Sequence, residues 1–156
     1  MQKVMLNHVV PDFSLPSTDG NELALSSLLG KNIVLYFYPK DCTSGCTLEG
    51  QNFRDNIEKF KKLNAVILGV SRDDLKLHHK FKTEQSFPFE LLSDAEEKAC
   101  KLFAVIKEKN MYGKKVMGIE RSTFLIDQHG KLVHEWRGVK VDGHVEEVLA
   151  KLKEFV

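Results

Sequence analysis

The apolar segment IVLYFY (Ile33–Tyr38) runs directly into PKDCTSGCT (Pro39–Thr47). The first segment is β-branched and aromatic without alternating polar residues, which is typical of a central strand covered on both faces of a sheet. Pro39 predicts the end of that strand, and Thr43 or Ser44 predicts the N-cap of a following helix. Together the two segments predict a strand, a loop and the first turn of a crossover helix.

Strand and helix signals alternate on both sides of this stretch. In chain order, the predicted elements are strands over Phe13–Leu15, Glu22–Leu25 and Ile33–Tyr38, a helix over Thr43–Leu63, a strand over Ala65–Val70, a helix from Asp74 to about Gln85, a strand at Leu91–Leu92, a helix from Ala95 to about Phe103, strands over Arg121–Ile126 and Lys131–Trp136, and a helix over His144–Phe155. Lys107–Gly118 is predicted to be a loop, and Asp127–Gly130 the turn of an antiparallel hairpin. This order predicts an α/β fold with a mixed central sheet flanked by helices.

Length and charge favour a single domain over residues 1–156 without a polyanionic partner. The net charge is +1, because 23 Lys and Arg residues are balanced by 22 Asp and Glu residues. Such a chain has no strong field to attract nucleic acid or an anionic membrane. Its longest apolar runs are also far shorter than the roughly 20 residues of a membrane helix. We therefore expect neither a nucleic-acid partner nor a membrane span.

The N-terminal sequence and the cysteine count favour a cytoplasmic location. Asn7, His8 and Pro11 interrupt the first apolar residues and leave no room for a secretory apolar core. Three cysteines are too few and too unevenly spaced for a disulfide-stapled secreted scaffold. We expect any functional cysteine here to act as a reactive thiol.

Cys46 is the leading candidate for chemistry, because a helix starting after Thr43 places it in the first turn. Free backbone N–H groups and the helix dipole favour an anion at that position, and a thiolate is such an anion. The helix end supplies only about 0.3 to 1 kcal/mol, or up to about 2 kcal/mol when partly buried. A cation from elsewhere in the chain is therefore expected beside the sulfur.

Pro39, Thr43 and Cys46 also form the pattern Pro-x-x-x-Thr-x-x-Cys after a strand, which resembles the active-site motif of peroxiredoxins. The stretch YFYPKDCTSGCT is similar to the subfamily of the bacterioferritin comigratory protein, or peroxiredoxin Q. Four further stretches resemble landmarks of that subfamily in the same order, namely PDFSLPSTDG, ILGVSRDD, FPFELLSD and RSTFLIDQHGKL. The resemblance covers nearly the whole chain.

This resemblance implies a thioredoxin-like fold and a thiol-dependent peroxidase that uses no metal, haem or other cofactor. Its implied substrates are hydrogen peroxide and organic hydroperoxides. The implied reductant is thioredoxin, glutaredoxin or a small thiol, and a monomer is favoured over a dimer. The family's arginine corresponds to Arg121, which supplies the expected cation.

The resemblance also implies a role for each residue of the motif. Cys46 attacks one peroxide oxygen and becomes a sulfenic acid. Arg121 and Thr43 orient the peroxide and stabilise the charge that develops on the leaving oxygen. Pro39 shields the sulfur from water.

The sequence departs from its subfamily at the resolving cysteine, the thiol that condenses with the sulfenic acid. Many members carry it five residues after the reactive cysteine, where this chain has Gln51. Cys42, Cys100 and a thiol of another molecule all remain open as replacements. Gly50 costs a helix roughly 1 kcal/mol relative to alanine, so it is predicted to ease local unwinding around Cys46.

Two other functions fit parts of the pattern. Cys42, Cys46 and a distant histidine such as His134 resemble the ligands of Sco-type copper chaperones, whose soft thiolates and imidazole suit copper. A guanidinium at Arg121 would oppose a bound cation there. A general disulfide oxidoreductase would use Cys-x-x-Cys, one residue shorter than the spacing here. The adjacent histidines 78 and 79 are predicted to lie on a helix surface, and no zinc-ligand spacing is present.

Overall fold

A computed structural model describes residues 3–156 of the chain. The strands are β1 (Ser14–Pro16), β2 (Glu22–Ala24), β3 (Asn32–Phe37), β4 (Ala65–Ser71), β5 (Glu90–Ser93), β6 (Ile106–Met111), β7 (Lys114–Ile119), β8 (Ser122–Ile126) and β9 (Leu132–Arg137). The helices are α1 (Ser44–Asp55), α2 (Ile57–Lys62), α3 (Leu75–Gln85), α4 (Lys98–Leu102) and α5 (His144–Glu154), with a 3₁₀ turn over Leu25–Leu28.

A five-stranded mixed sheet with the order β5-β4-β3-β8-β9 forms the centre of the structure. β3 pairs in parallel with β4 and antiparallel with β8, and every residue of β3 is buried. β8 and β9 form the antiparallel hairpin near the C-terminus. The predicted mixed sheet and its central strand are therefore confirmed.

The two faces of this sheet carry separate hydrophobic clusters, because side chains alternate along β3. Leu35 and Phe37 pack in one cluster with Cys100 and Phe103, and we call this side the α4 face. Val34 and Tyr36 belong to the other cluster, which contains Cys46 and residues of α1, α2, α3 and α5, and we call this side the α1 face. Cys46 and Cys100 thus lie on opposite faces of the sheet.

The helix predicted over Thr43–Leu63 is two helices, α1 and α2, interrupted at Asn56. The Asn56 side chain donates to the backbone carbonyl of Asn52 at 2.8 Å, which is the acceptor that a continuous helix would give to the Asn56 N–H. That N–H instead donates to the Phe53 carbonyl at 3.2 Å. A local side-chain hydrogen bond therefore ends α1.

The loop predicted over Lys107–Gly118 is wrong, because β6 and β7 pair there as an antiparallel hairpin. Its turn places Tyr112 and Gly113 at φ 54° and 79°, as the favoured two-residue hairpin turn requires. Most of its side chains are exposed, so the strands lack the apolar alternation that reveals a strand.

Within residues 3–156, no helix has the length and apolarity needed to cross a membrane.

Candidate active site

Cys46 lies in the first turn of α1, at the end of the loop that follows β3. Thr43 occupies the N-cap position in an extended conformation, which confirms its predicted place. Its hydroxyl does not cap the helix, however, and instead donates to the backbone carbonyl of Lys40 at 2.8 Å. Cys46 is the third residue of the helix and only 2% exposed. Its sulfur therefore sits where free N–H groups of the helix point.

Arg121, which precedes β8, brings its guanidinium to this helix end. Its Nη2 lies 3.5 Å from the sulfur of Cys46, and its Nη1 donates to Oε1 of Glu49 at 2.7 Å. A side chain at Gly45 would place its Cβ 3.2 Å from Nη2, so the glycine gives the guanidinium room to approach. The cation expected beside Cys46 is thus present.

Glu49 is a member of this cluster that the sequence reasoning missed. It is fully buried one turn after Cys46, and burial raises its pKa to about 7 although Arg121 acts in the opposite direction. Burial alone would lower the pKa of Arg121, but Glu49 and Cys46 raise it above its ordinary value. The spacing i,i+3 from Cys46 on one helix face was the available signal.

The loop before α1 holds the remaining predicted residue, Pro39, and a second buried carboxylate, Asp41. Pro39 is half-buried directly after the β3 segment. Asp41 is 3% exposed and contacts Tyr38 and His78 through its two carboxylate oxygens.

The prediction that His78 lies on the helix surface is wrong, because its side chain is completely buried against Asp41. His79, its neighbour, is exposed as predicted.

The other two cysteines lie in different surroundings. Cys42 is exposed, and its sulfur faces Oε1 of Glu84 at 3.9 Å. Partial burial and this carboxylate raise the pKa of the Cys42 thiol. Cys100 is buried in α4, where burial and then the Asp94 carboxylate raise its pKa well above the ordinary value. All three cysteines are free.

Potential metal ligands converge at one place in the described part of the chain. Oxygen and nitrogen atoms of Asp41, Asp73 and His78 lie within 4.8 Å of one another. The grouping of Cys42, Cys46 and His134 that a copper site needs does not occur among residues 3–156. His134 instead packs edge-on against Trp136 in β9.

Comparison with known proteins gives consistent matches. The model of the AhpC/TSA family matches residues 6–135. The chain is 51% identical to Peroxiredoxin Bcp of Bacillus subtilis over 97% of both chains, and 52% identical to Peroxiredoxin Bcp of Xanthomonas campestris over 91% of this chain and 89% of that protein.

Solved structures agree with these relatives. A mutant of Xylella fastidiosa PrxQ superposes with a TM-score of 0.92 at 43% identity, covering 99% of both chains. A structure of the Xanthomonas campestris bacterioferritin comigratory protein, described as showing trapped intermediate and ligand complexes of its alkyl peroxide reduction activity, has a TM-score of 0.88 at 50% identity and covers 92% of this chain and 91% of that one.

Proposed function

Because this chain belongs to the AhpC/TSA family of peroxiredoxins and is a thiol-dependent peroxidase, we propose that Cys46 is the thiol that reacts with the peroxide. One observation carries this assignment: the Arg121 guanidinium lies 3.5 Å from the Cys46 sulfur at the N-terminus of α1. The positive end of a helix and a guanidinium both stabilise a thiolate, which is the reactive form of cysteine.

In the peroxide step, the Cys46 thiolate attacks one oxygen of the O–O bond in line with that bond. A sulfur–oxygen bond forms and the O–O bond breaks. The leaving oxygen takes up a proton and departs as water or an alcohol, and Cys46 is left as a sulfenic acid. Arg121 is placed to stabilise the negative charge that develops on the oxygens.

Thr43 and Pro39 complete the proposed site. The hydroxyl hydrogen of Thr43 is directed to the Lys40 carbonyl, so the hydroxyl oxygen keeps its lone pairs for the O–H of a bound peroxide. Such a hydrogen bond fixes the peroxide in one orientation. The half-buried ring of Pro39 excludes water from the loop side of the sulfur.

For the second step, we propose that a thiol of another molecule resolves the sulfenic acid. Gln51 occupies the usual position of the resolving cysteine and donates to Oε1 of Gln85 at 2.8 Å. Cys100 lies on the opposite face of the central sheet from Cys46. Cys42 is exposed with its sulfur toward Glu84 of α3, whereas Cys46 is buried in the first turn of α1.

The external thiol attacks the sulfenic sulfur and releases water, which leaves a mixed disulfide. A second thiol then reduces this disulfide and regenerates Cys46. Thioredoxin, glutaredoxin and small thiols all supply this chemistry. We propose hydrogen peroxide and organic hydroperoxides as substrates, and alkyl peroxide reduction by the Xanthomonas campestris relative supports the second class.

The proposal further includes a monomeric, cytoplasmic protein whose residues 1–156 form one domain. Both hydrophobic clusters pack on the same five-stranded sheet, which supports one folding unit. The low cysteine count supports a reducing compartment.

A copper-chaperone function is not favoured, because Cys42, Cys46 and His134 are not grouped in the described residues and Arg121 places a positive charge beside the sulfur.

Intact-mass measurement after one equivalent of peroxide, without added thiol, tests these assignments. We expect the wild-type protein, Cys42→Ser and Cys100→Ser each to gain one oxygen, and Cys46→Ser to gain none and to consume no peroxide. Cys100→Ser serves as the matched control, since its thiol is equally buried on the other face. Peroxide consumption by Cys46→Ser would overturn the assignment of Cys46. Loss of two hydrogens in the wild type but not in Cys42→Ser would make Cys42 the resolving thiol.

A further inference from the structure

A buried group of three side chains, Tyr38, Asp41 and His78, lies beside the loop that leads to Cys46. The Tyr38 hydroxyl donates to Oδ1 of Asp41 at 2.6 Å. Oδ2 of the same carboxylate meets Nδ1 of His78 at 2.5 Å. None of these side chains contacts the sulfur in the proposed peroxide step. We call this group the loop clamp.

The loop clamp joins three elements of the fold to the loop. Tyr38 continues β3, His78 belongs to α3, and Nε2 of His78 lies 2.8 Å from the carbonyl oxygen of Leu92 in β5. The backbone N–H of Asp41 also donates to Oδ2 of Asp73, at 2.8 Å. Both the side chain and the backbone of Asp41 are therefore held by the rigid part of the molecule.

The hydrogen atoms of the loop clamp can be assigned from its partners. A carbonyl oxygen only accepts, so Nε2 of His78 carries a hydrogen toward Leu92. One further proton then lies between Nδ1 of His78 and Oδ2 of Asp41. Whichever atom carries it, the pair has no net charge, and both members have the hydrogen-bond partners that buried polar groups need. The converging atoms of Asp41, Asp73 and His78 are thus engaged in hydrogen bonds within the protein.

Asp41 is connected to the groups of the proposed site through its two neighbours in the chain. Lys40, its neighbour, supplies the carbonyl oxygen that accepts the Thr43 hydroxyl. Cys42, its other neighbour, has a left-handed backbone conformation with φ 65°, which is strained for a residue other than glycine. Such a conformation persists only when the surroundings hold it. Releasing Asp41 would let Cys42 relax and turn the Thr43 hydroxyl away from its present direction.

We propose that the loop clamp positions the loop for the peroxide step and opposes the later movement that exposes oxidised Cys46, an inference that rests on the proposed role of Cys46. The Cys46 sulfur is buried, so an external thiol reaches it only when the loop and the start of α1 move outward. The loop clamp must break, or stretch, during that movement. Tyr38, Asp41 and His78 are thus positioning residues, and weakening them has opposite effects on the two half-reactions.

The test measures each half-reaction separately in variants of the full chain. Rapid-quench mass analysis gives the rate at which peroxide oxidises Cys46, and the same readout after adding dithiothreitol to peroxide-treated protein gives the rate of reduction. For His78→Leu, we expect the first rate to fall by about tenfold to a hundredfold, because Thr43 and Cys46 lose their alignment. We expect the second rate to rise severalfold.

Three further variants separate positioning from general loss of structure. His78→Asn keeps a donor where Nδ1 lies, so we expect it to recover most of both wild-type rates. Tyr38→Phe removes one hydroxyl without opening a cavity, so we expect smaller changes in the same two directions. His79→Leu alters the exposed neighbour of His78 and is expected to leave both rates unchanged. Tyr38→Phe keeps the test decisive where His78→Leu does not fold.

Two results would overturn the loop clamp. One is a rate of peroxide oxidation within twofold of wild type in His78→Leu or, where that variant does not fold, in Tyr38→Phe. The other is a fall of both half-reactions together, without recovery in His78→Asn, which marks a merely structural role. Peroxide consumption by Cys46→Ser would instead contradict the proposed function itself, so the two failures are distinguishable.

Discussion

Cys46 and Cys100 are both buried cysteines at the third position of a helix, yet their surroundings are opposite in charge. The sulfur of Cys46 faces the Arg121 guanidinium at 3.5 Å. The N–H of Cys100 donates to the Asp94 carboxylate at 2.7 Å, and that carboxylate occupies the start of α4. Burial and Asp94 together raise the pKa of Cys100. A place in the first helical turn therefore does not make a thiol reactive, because the nearest full charge outweighs the helix dipole.

The largest effect expected from this comparison follows removal of the guanidinium. Arg121→Ala gives Cys46 a site without its cation, so we expect the rate of its oxidation by peroxide to fall by about 10² to 10³-fold. Arg121→Lys keeps the charge but loses the two-sided contact with Glu49 and Cys46, and is expected to recover part of the rate. Stopped-flow peroxide consumption measures both.

Arg137→Ala is the matched control for this prediction. Arg137 pairs with Glu135 in β9 and stacks on Phe124 on the α4 face, so its loss also removes a guanidinium but leaves Cys46 untouched. We expect its peroxide rate to equal that of the wild type. An Arg121→Ala enzyme as fast as Arg137→Ala would mean that helix position alone activates Cys46.

The contrast between the two thiols shows which parts of the site were readable from the sequence. The motif around Cys46 was visible because strand, loop and helix start are adjacent in the chain. Arg121 was assigned through the family resemblance, since nothing in the local sequence brings residue 121 to residue 46. Glu49 and His78 were missed because their burial depends on partners far along the chain, Arg121 and Asp41 respectively.

The fold could be predicted from the sequence where the pattern of apolar residues followed the burial of the element. β3 is covered on both faces and has an uninterrupted apolar sequence, so its central place was predictable. The β6–β7 hairpin was not, since its stability comes from backbone pairing and turn geometry while its side chains are exposed. The break at Asn56 depends on one side-chain hydrogen bond, which periodicity does not reveal.

The close approach of α1 to the residues after α3 gives a prediction for Gly50. A Cβ at Gly50 would lie 2.3 Å from the Phe87 ring, so this glycine allows α1 to pack against the residues after α3. Helix propensity alone favours alanine by about 1 kcal/mol. We expect the steric clash with Phe87 to outweigh the gain in helix propensity, so that Gly50→Ala lowers the free energy of unfolding by about 1 to 3 kcal/mol.

Urea unfolding of Gly50→Ala and of the double variant Gly50→Ala/Phe87→Leu tests the cause. The smaller, flexible leucine leaves room for the added methyl group, so alanine at position 50 should cost less in the Phe87→Leu background than in the wild type. A stabilising Gly50→Ala would instead support the earlier prediction that Gly50 is a weak point where α1 unwinds.

The smallest effect concerns the pH dependence of stability on the α1 side of the sheet. Burial raises the pKa of Glu49 to about 7, so its contribution to stability is complete below its ordinary pKa of about 4.5 and is lost as the pH rises through 7. Burial, followed by Arg121, lowers the pKa of His144 to about 4, so its contribution is complete above about 6.5 and is lost as the pH falls through 4. Between pH 4.5 and 6.5 the two contributions therefore oppose each other.

Removing one of these groups should reveal the other. Glu49→Gln leaves His144, so its free energy of unfolding is expected to rise with pH across this window relative to wild type, by at most about 1.4 kcal/mol per pH unit. His144→Gln keeps a polar group near Thr123, which His144 now contacts at 2.8 Å, and its free energy of unfolding is expected to fall with pH relative to wild type. Urea midpoints at pH 4.75, 5.5 and 6.25 measure the three slopes, and groups that titrate alike in all three proteins cancel in the comparison. Parallel slopes would show that neither group changes its proton affinity on folding, which for Glu49 would mean that the effects of burial and of Arg121 cancel.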